Sequence, residues 1–343
     1  MKKILLTGLF AVLIAAGFAQ KPYKVVFYNF ENLFDTIDDP GVNDTEFTPE
    51  GPKKWNAYKY AKKIGNLERV LFDIASADGD FPIVIGVSEV ENRSVMEDVI
   101  ATPKLSKGNY RIVHYDSPDA RGVDVAFYYR PDVFKLEGSA AIPFRMPDMP
   151  DFRTRDFVTM WGTIEDEPFF FLVSHWPSRL GGQAASASKR MAAAEQVRAI
   201  VDSVQRADPA TKVVVMGDLN DDATDRSIVE GLRAKGRIGE VGPGDMFNPF
   251  IALLKAGYGS LAYRDDWNLF DNIIVSDNLA TGSTGELKIR PVGDTKFYGG
   301  IFRRPYMIQK EGQYKGYPLR TFVGNNFQGG FSDHLPAYIY IAK

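Results

Sequence analysis

Short runs of Val, Ile, Phe and Tyr, each closed at one end by an acid, an amide or a histidine, recur along the chain and constrain its fold more than any other feature. Residues 23–27 run into Asn29 and Glu31, 83–87 into Glu89, 169–173 into His175, and 213–216 into Asp218 and Asn220. Residues 272–275 follow Asp271, and 337–341 follow Asp333 and His334. Runs of this length, rich in β-branched and aromatic residues and bounded by turn formers, read as strands. Residues 123–129 and 157–161 add two more. When such strands pack as a sandwich, the polar groups at their ends gather with the loops at one rim.

Helical periodicity separates some of the strands. Residues 57–75 place Ile64, Leu67, Val70, Leu71 and Ile74 on one face, and residues 188–204 do the same with Met191, Ala194, Val197, Ile200, Val201 and Val204. Strands mixed with a few helices predict an α/β (α+β) sandwich. The 343 residues contain no repeat and no low-complexity linker, so residues 20–343 read as one domain. With 45% hydrophobic and 25% charged residues the chain is neither disordered nor fibrous, and without cysteine it is not stapled by disulfides. Residues 237–266 and 281–330 are long, Gly-rich and aromatic, and loops of that length tend to carry function.

The amino terminus reads as an export signal, residues 1–19. Lys2 and Lys3 precede an apolar run, residues 4–18, too short to span a membrane, and Gly17 and Ala19 supply small residues for cleavage. The mature chain is then expected in the bacterial periplasm or outside the cell, with no stable membrane span and no obligate protein partner. The net charge of −3 excludes a global basic field for a polyanion, though not a local one.

The strand-end set is Asn29, Glu31, Glu89, His175, Asp218, Asn220, Asp271, Asp333 and His334. Carboxylate, amide and imidazole ligands without a thiolate suit Mg²⁺ or Mn²⁺ better than Zn²⁺. A hard cation of this kind serves phosphoryl transfer by neutralising the phosphate and activating water. Singly, each residue has a plainer reading: Asp218 closes a turn, Glu89 is a solvated acid opening a helix, and the histidines are structural. Jointly they do not, because the chain has only three histidines and two fall in this series.

The strings VVFYNFENLFD, IVIGVSEVEN, VDVAFYYRP, FLVSHWPSR, VVMGDLND, LFDNIIVSD and FSDHLPAYI occur in that order from residue 25 onward. In them the chain resembles the endonuclease/exonuclease/phosphatase superfamily, which includes deoxyribonucleases, inositol polyphosphate 5-phosphatases and bacterial sphingomyelinases. The resemblance implies a four-layered sandwich of two packed, mainly antiparallel β-sheets flanked by helices. It implies that Glu89 is the principal metal ligand, with Asn29, Glu31 and Asp333 completing the shell for one divalent metal and Asp218 and Asn220 able to serve a second. It also implies that Asp218 and Asn220 position and deprotonate the attacking water. His334, oriented by Asp271, and His175 then face the phosphate. Arg155 resembles a phosphate-contacting arginine. Ser88 stands where the family commonly has Gln, and Arg121 occupies the region of a nuclease tyrosine, where it is placed to contact phosphate.

Substrate is read separately from fold. Trp176 and Arg179, then Phe302, Arg303, Arg304 and Tyr306, then Arg320 and Phe322 interleave aromatics with arginine, the pattern by which single-stranded nucleic acid is stacked and neutralised. The leading expectation is a secreted nuclease. The alternative is a phosphatase or phosphodiesterase for a small or lipid-linked ester. Residues 246–258, the sole candidate for a membrane-touching hairpin, read more simply as a buried helix.

Overall fold

In the computed structural model, which describes residues 21–146 and 148–343, the expected strands form and extend further toward their polar ends. The first half of the chain gives β1 (Tyr23–Leu33), α1 (Ala57–Asp78), β2 (Val84–Val90), α2 (Arg93–Ile100), β3 (Arg111–His114), β4 (Asp124–Tyr129), β5 (Phe134–Ile142), β6 (Phe157–Ile164) and β7 (Glu167–His175). The second half gives α3 (Gln183–Ala207), β8 (Lys212–Asp218), β9 (Ala234–Lys235), β10 (Met246–Phe247), α4 (Phe250–Lys255), β11 (Leu261–Tyr263), β12 (Asp266–Asn268), β13 (Asp271–Ser276) and α5 (Asp277–Thr281). It closes with β14 (Lys288–Arg290), β15 (Gly299–Ile301), β16 (Phe322–Val323), β17 (Asn326–Phe327) and β18 (Ala337–Ala342). The expected export signal lies outside the described residues. Among those described, no helix is long and apolar enough to cross a membrane.

Two seven-stranded sheets carry the fold, ordered β14-β18-β1-β2-β4-β3, with β15 also on β18, and β5-β6-β7-β8-β13-β10-β9. Each has a parallel pair at its heart, β1 with β2 and β7 with β8, and each of these pairs is flanked by antiparallel strands. That arrangement fixes where the polar ends go. The carboxyl ends of the parallel strands and the amino ends of their antiparallel neighbours β18, β4, β13 and β6 must all lie at one rim. Those are the positions of the sequence-derived site.

Alternation along each strand builds the layers. Val25 and Phe27 of β1, with Val84 of β2, face Phe171, Val173, Val214, Met216 and Ile273 of the opposite sheet in the core between sheets. Val26, Tyr28 and Phe30 point the other way, against Leu67, Val70 and Ile74 of α1. On the far side, Val213 and Val215 meet Ala194, Val197 and Val201 of α3. The result is helix, sheet, sheet, helix. Gly86 marks a close approach of the sheets, since a Cβ there would stand 2.4 Å from Met216 Sδ.

The two long segments read as loops are only partly so. Residues 237–266 contain β10, α4 and β11; of residues 246–258, expected as a buried helix, only Phe250–Lys255 is helical, with Phe250, Ile251 and Leu253 buried, while Met246–Phe247 is a strand. Residues 281–330 contribute β14 and β15 to the first sheet. These strands are of three residues each and too short to announce themselves by alternation.

Candidate active site

The site begins with backbone. At Glu89 the β2–β4 ladder skips: Ser88 pairs with Val125 and Val90 with Asp124, leaving Glu89 unmatched in a β-bulge. A bulge bends the strand and re-aims a side chain. Glu89 has φ 59°, Glu31 φ 51° and Asn220 φ 50°. For residues other than glycine such left-handed backbone costs on the order of 1–3 kcal/mol each and persists only where the surroundings impose it. The Asn32 amide donates to Glu89 Oε2 (2.9 Å) and the Glu31 amide to Asn29 Oδ1 (2.8 Å), so the strained turns hold the acids in place.

Asp218 is the hub. Its Oδ1 accepts from the Asn220 amide (3.0 Å) and its Oδ2 from Asn29 Nδ2 (3.0 Å). The same Oδ2 lies 3.5 Å from His175 Nε2 and 3.6 Å from His334 Nε2. Burial pushes the Asp218 carboxyl up to about 6, against the opposing pull of His334. Asp271 pairs with Asp218 across β8 and β13, and its Oδ2 stands 2.7 Å from His334 Nδ1.

The two histidines are driven in opposite directions. Burial alone would lower the His334 pKa, but the carboxylates of Asp271 and Asp218 outweigh it and hold the imidazole well above its ordinary value. His334 is therefore an imidazolium at neutral pH. Burial, then the positive field of Arg155 and Arg121, pushes His175 well below its ordinary value. His175 is neutral, and its Nδ1 is buried without a partner.

On the opposite flank, Glu31 Oε2 accepts from the Thr321 amide (2.6 Å) and lies 3.7 Å from the fully buried Lys63 Nζ. Burial, then the charge of Asp333, raises the Glu31 carboxyl to about 7. Asp333 is 3.5 Å from Arg320 Nη2, and Ser332 fixes its neighbourhood by donating to the Asn29 carbonyl (2.7 Å). Asn29, Glu31, Glu89 and Asp333 offer the oxygen donors that suit a hard divalent cation and would hold one when it is bound. Asp333 stands near enough to Glu31 to raise its carboxyl, but among the described residues Glu31, Glu89 and Asp333 do not bring three carboxylate oxygens within 4.8 Å of one another. Asp218, Asp271 and His334 present ligand atoms within 4.8 Å of one another, with the imidazole Nδ1 of His334 engaged by Asp271 Oδ2.

The arginines divide. Arg121 is 45% exposed in its side chain, with Nη1 4.0 Å from Glu89 Oε1. Arg155, expected to contact phosphate, is committed to protein partners. It is buried, donating from Nη1 to Asp119 Oδ2 (3.0 Å) and from Nη2 to the Trp176 carbonyl (2.9 Å). It ties the Arg121 loop to the turn after His175 and is a positioning residue. Arg179 is likewise engaged: Nε donates to the Asn220 carbonyl (2.9 Å), Nη2 to Asp225 Oδ2 (2.7 Å), and the guanidinium lies over Phe270. It braces the left-handed turn of Asn220.

Sequence reasoning missed Lys63 and Asp119. Lys63 sits four residues before Leu67 on the apolar face of α1, and a lysine on a buried stripe is a sign of a buried acid. Asp119, which receives both Arg155 and the Arg121 backbone amide, lay in a loop with no periodic signal.

The rim, its acids and its histidine pair on a two-sheet sandwich are those of a hydrolase acting on phosphoester bonds. The model of the Endonuclease/Exonuclease/phosphatase family matches residues 24–343, and the chain belongs to that family, whose members depend on divalent metal. No curated protein matches the sequence. Among solved structures, TDP2 of D. rerio complexed with a single-strand DNA product is 13% identical with TM-score 0.55, covering 94% of this chain and 100% of that one. A mannosyl-6-phosphatase of Bacteroides thetaiotaomicron is 15% identical with TM-score 0.55, over 94% and 100%. The human Nocturnin catalytic domain with bound sulfate is 14% identical with TM-score 0.53, over 94% and 95%. At these identities the likeness is one of fold.

Proposed function

We propose that this chain is an exported phosphodiesterase, dependent on Mg²⁺ or Mn²⁺, that hydrolyses nucleic acid. The observation that carries the reading is the count of cations left to meet the phosphate. Arg155 and Arg179 are committed to protein partners, His175 is neutral, and Lys63 belongs to Glu31. Arg303 and Arg304 lie over Trp267 and Phe302. Of the cationic side chains described above, that leaves the His334 imidazolium and Arg121, with Arg320 shared with Asp333. Such a set suits the single negative charge of a diester better than the double charge of a monoester.

In this reading Asn220 and Asp218 orient a water for in-line attack on phosphorus, and the Asp218 carboxylate takes its proton. His334 and His175 donate to the phosphoryl oxygens as charge builds there. The bond from phosphorus to the departing ester oxygen breaks, and that oxygen takes a proton from solvent at the open rim. A bound divalent cation would supply charge neutralisation and activation of water. Export is supported by the amino-terminal pattern of Lys2, Lys3 and the apolar run that follows.

One observation favours the second reading, a small phosphoester. Trp176, Phe302 and Phe322, expected to stack bases, are buried, and the Tyr306 hydroxyl is bonded to Asp73. The test is a side-by-side assay with Mg²⁺ or Mn²⁺ and an EDTA control, on plasmid DNA, single-stranded DNA, RNA, bis-(p-nitrophenyl) phosphate and a phosphomonoester panel. EDTA-sensitive shortening of a polymer supports the nuclease; release of inorganic phosphate from monoesters alone refutes it and leaves the second reading.

A further inference from the structure

Beyond the catalytic rim, the loop after β1 gathers acids that nothing in the reaction uses. Asp35, Asp38, Asp39 and Asp44 come from ten consecutive residues, and Glu91 joins them from the turn after β2. Asp39, Asp44 and Glu91 each bring a carboxylate oxygen to within 4.8 Å of the other two. Among the described residues, no Lys, Arg or His lies within ion-pair distance of any of these acids. The donors that reach them are neutral: the Asp35 amide to Glu91 Oε2 (2.7 Å), the Ile37 amide to Asp35 Oδ1 (2.6 Å), the Asp39 amide to Asp44 Oδ2 (3.0 Å) and Asn92 Nδ2 to Asp35 Oδ2 (3.4 Å).

Asp44 is the telling member. It is 1% exposed, and its Oδ1 is buried without a hydrogen-bond partner. It stands at the start of a short turn, Thr45–Phe47, yet its side chain makes no capping bond there. Its polar company includes the carboxyl of Asp38, which loss of water and then the contact with Asp44 push above the usual carboxylate range, the mark of two acids crowded together without a cation. A buried carboxylate that meets only acceptors and neutral donors is strongly unfavourable unless a cation completes it.

We propose that Asp39, Asp44 and Glu91, with Asp35 and Asp38 at the margin, form a Ca²⁺ site separate from the catalytic metal. A centre among three oxygens no more than 4.8 Å apart lies at most 4.8/√3, about 2.8 Å, from each, and closure by a few tenths of an ångström reaches the Ca–O distance of about 2.3–2.6 Å. An all-oxygen, carboxylate-rich set on a flexible loop suits Ca²⁺, whereas Mg²⁺ demands a tighter octahedron and keeps its waters.

The site is structural in its effect. The Asn43 amide donates to the Ala120 carbonyl (2.8 Å), and Val42 packs so closely on Gly122 that a Cβ there would meet it at 3.0 Å. The cation loop therefore braces the loop bearing Asp119 and Arg121, and through Glu91 it is two residues from the Glu89 bulge.

The experiment is calcium titration of the chelator-stripped full chain, by calorimetry and by thermal unfolding, with Mg²⁺ saturating throughout to fill the catalytic site. Binding of Ca²⁺ with Kd of about 10⁻⁴–10⁻³ M and a Tm rise of roughly 2–5 °C at 10 mM are expected. Glu89→Gln should keep the response. Asp44→Asn and, independently, Asp39→Asn should each lose it, with at least tenfold weaker binding, while staying folded in chelator. A Tm rise with Ca²⁺ no larger than that from added Mg²⁺, or wild-type responses in both loop variants, would overturn the proposal.

Discussion

Asp271→Asn is the sharpest perturbation of the site, because the Asp271–His334 contact is short (2.7 Å) and closed to water at both partners. The substitution preserves shape and removes one charge. His334 then keeps Asp218 alone, at 3.6 Å, against a burial that opposes protonation. Breaking a buried pair from one side costs about 3–5 kcal/mol, enough to return His334 to the neutral form across the neutral range. The sign follows from linkage: a histidine raised by folding stabilises the protein fully below its unfolded pKa and loses that contribution as pH rises through the folded one. The stability gap between wild type and Asp271→Asn should therefore be widest below about pH 6.5 and narrow on the alkaline side. Activity should show the converse. Wild-type rate should rise with ionisation of Asp218, near pH 6, and fall only when the His334 imidazolium is lost, well above its ordinary range. In the variant the alkaline limb should move down, and kcat at pH 8 should drop by roughly 10²–10⁴. The assay is kcat against pH on bis-(p-nitrophenyl) phosphate, with thermal unfolding on the same samples. An unshifted alkaline limb with kcat within threefold of wild type would refute the assignment of charge to His334.

Other outcomes are as definite. Glu89→Gln should abolish turnover while leaving Tm within a few degrees of wild type; retained Mg²⁺-dependent activity would remove Glu89 from the metal shell. Arg155→Ala should lower both stability and kcat, because it unties the Arg121 loop from the turn at Trp176; a rise in KM alone would instead mark a direct substrate contact. Gly217→Ala places a Cβ 2.0 Å from the Ser174 carbonyl oxygen, between the parallel strands that carry His175 and Asp218, and should destabilise by roughly 1–3 kcal/mol with loss of activity, read by denaturant unfolding. Glu31, raised to about 7, contributes stability below pH 4.5 that is lost as pH rises through 7. Mg²⁺ should accordingly raise Tm more at pH 8 than at pH 5.5, and an equal rise at both would contradict the placement of Glu31 in the metal shell.

What the sequence disclosed was the part of the fold written locally. Continuous β-branched and aromatic runs closed by turn residues locate the strands of the two parallel pairs, and the polar residue closing each run marks the rim, because strand ends are where side-chain chemistry escapes the core. The 3.6-residue period locates α1 and α3. The short edge strands β14 and β15 stayed hidden, since three residues carry too little pattern and owe their form to pairing with β18. The arginines were legible as residues and not as roles. Whether Arg155 meets phosphate or Asp119 is decided by a contact across 36 positions, which no local pattern encodes. The same holds for Trp176 and Phe302, whose burial is a property of the assembled layers.

The left-handed turns at Glu31, Glu89 and Asn220 have a consequence for anyone selecting this protein for heat tolerance. At each position glycine would relax the backbone, by on the order of 1 kcal/mol, and would delete a side chain that the proposed reaction uses. A selection scored on folding alone therefore drifts toward inert variants, and the drift begins at the active residues themselves. Libraries screened for robustness should hold these positions fixed, and a glycine recovered at Glu89 from such a screen would report how much of the native fold's stability is surrendered to keep the site armed.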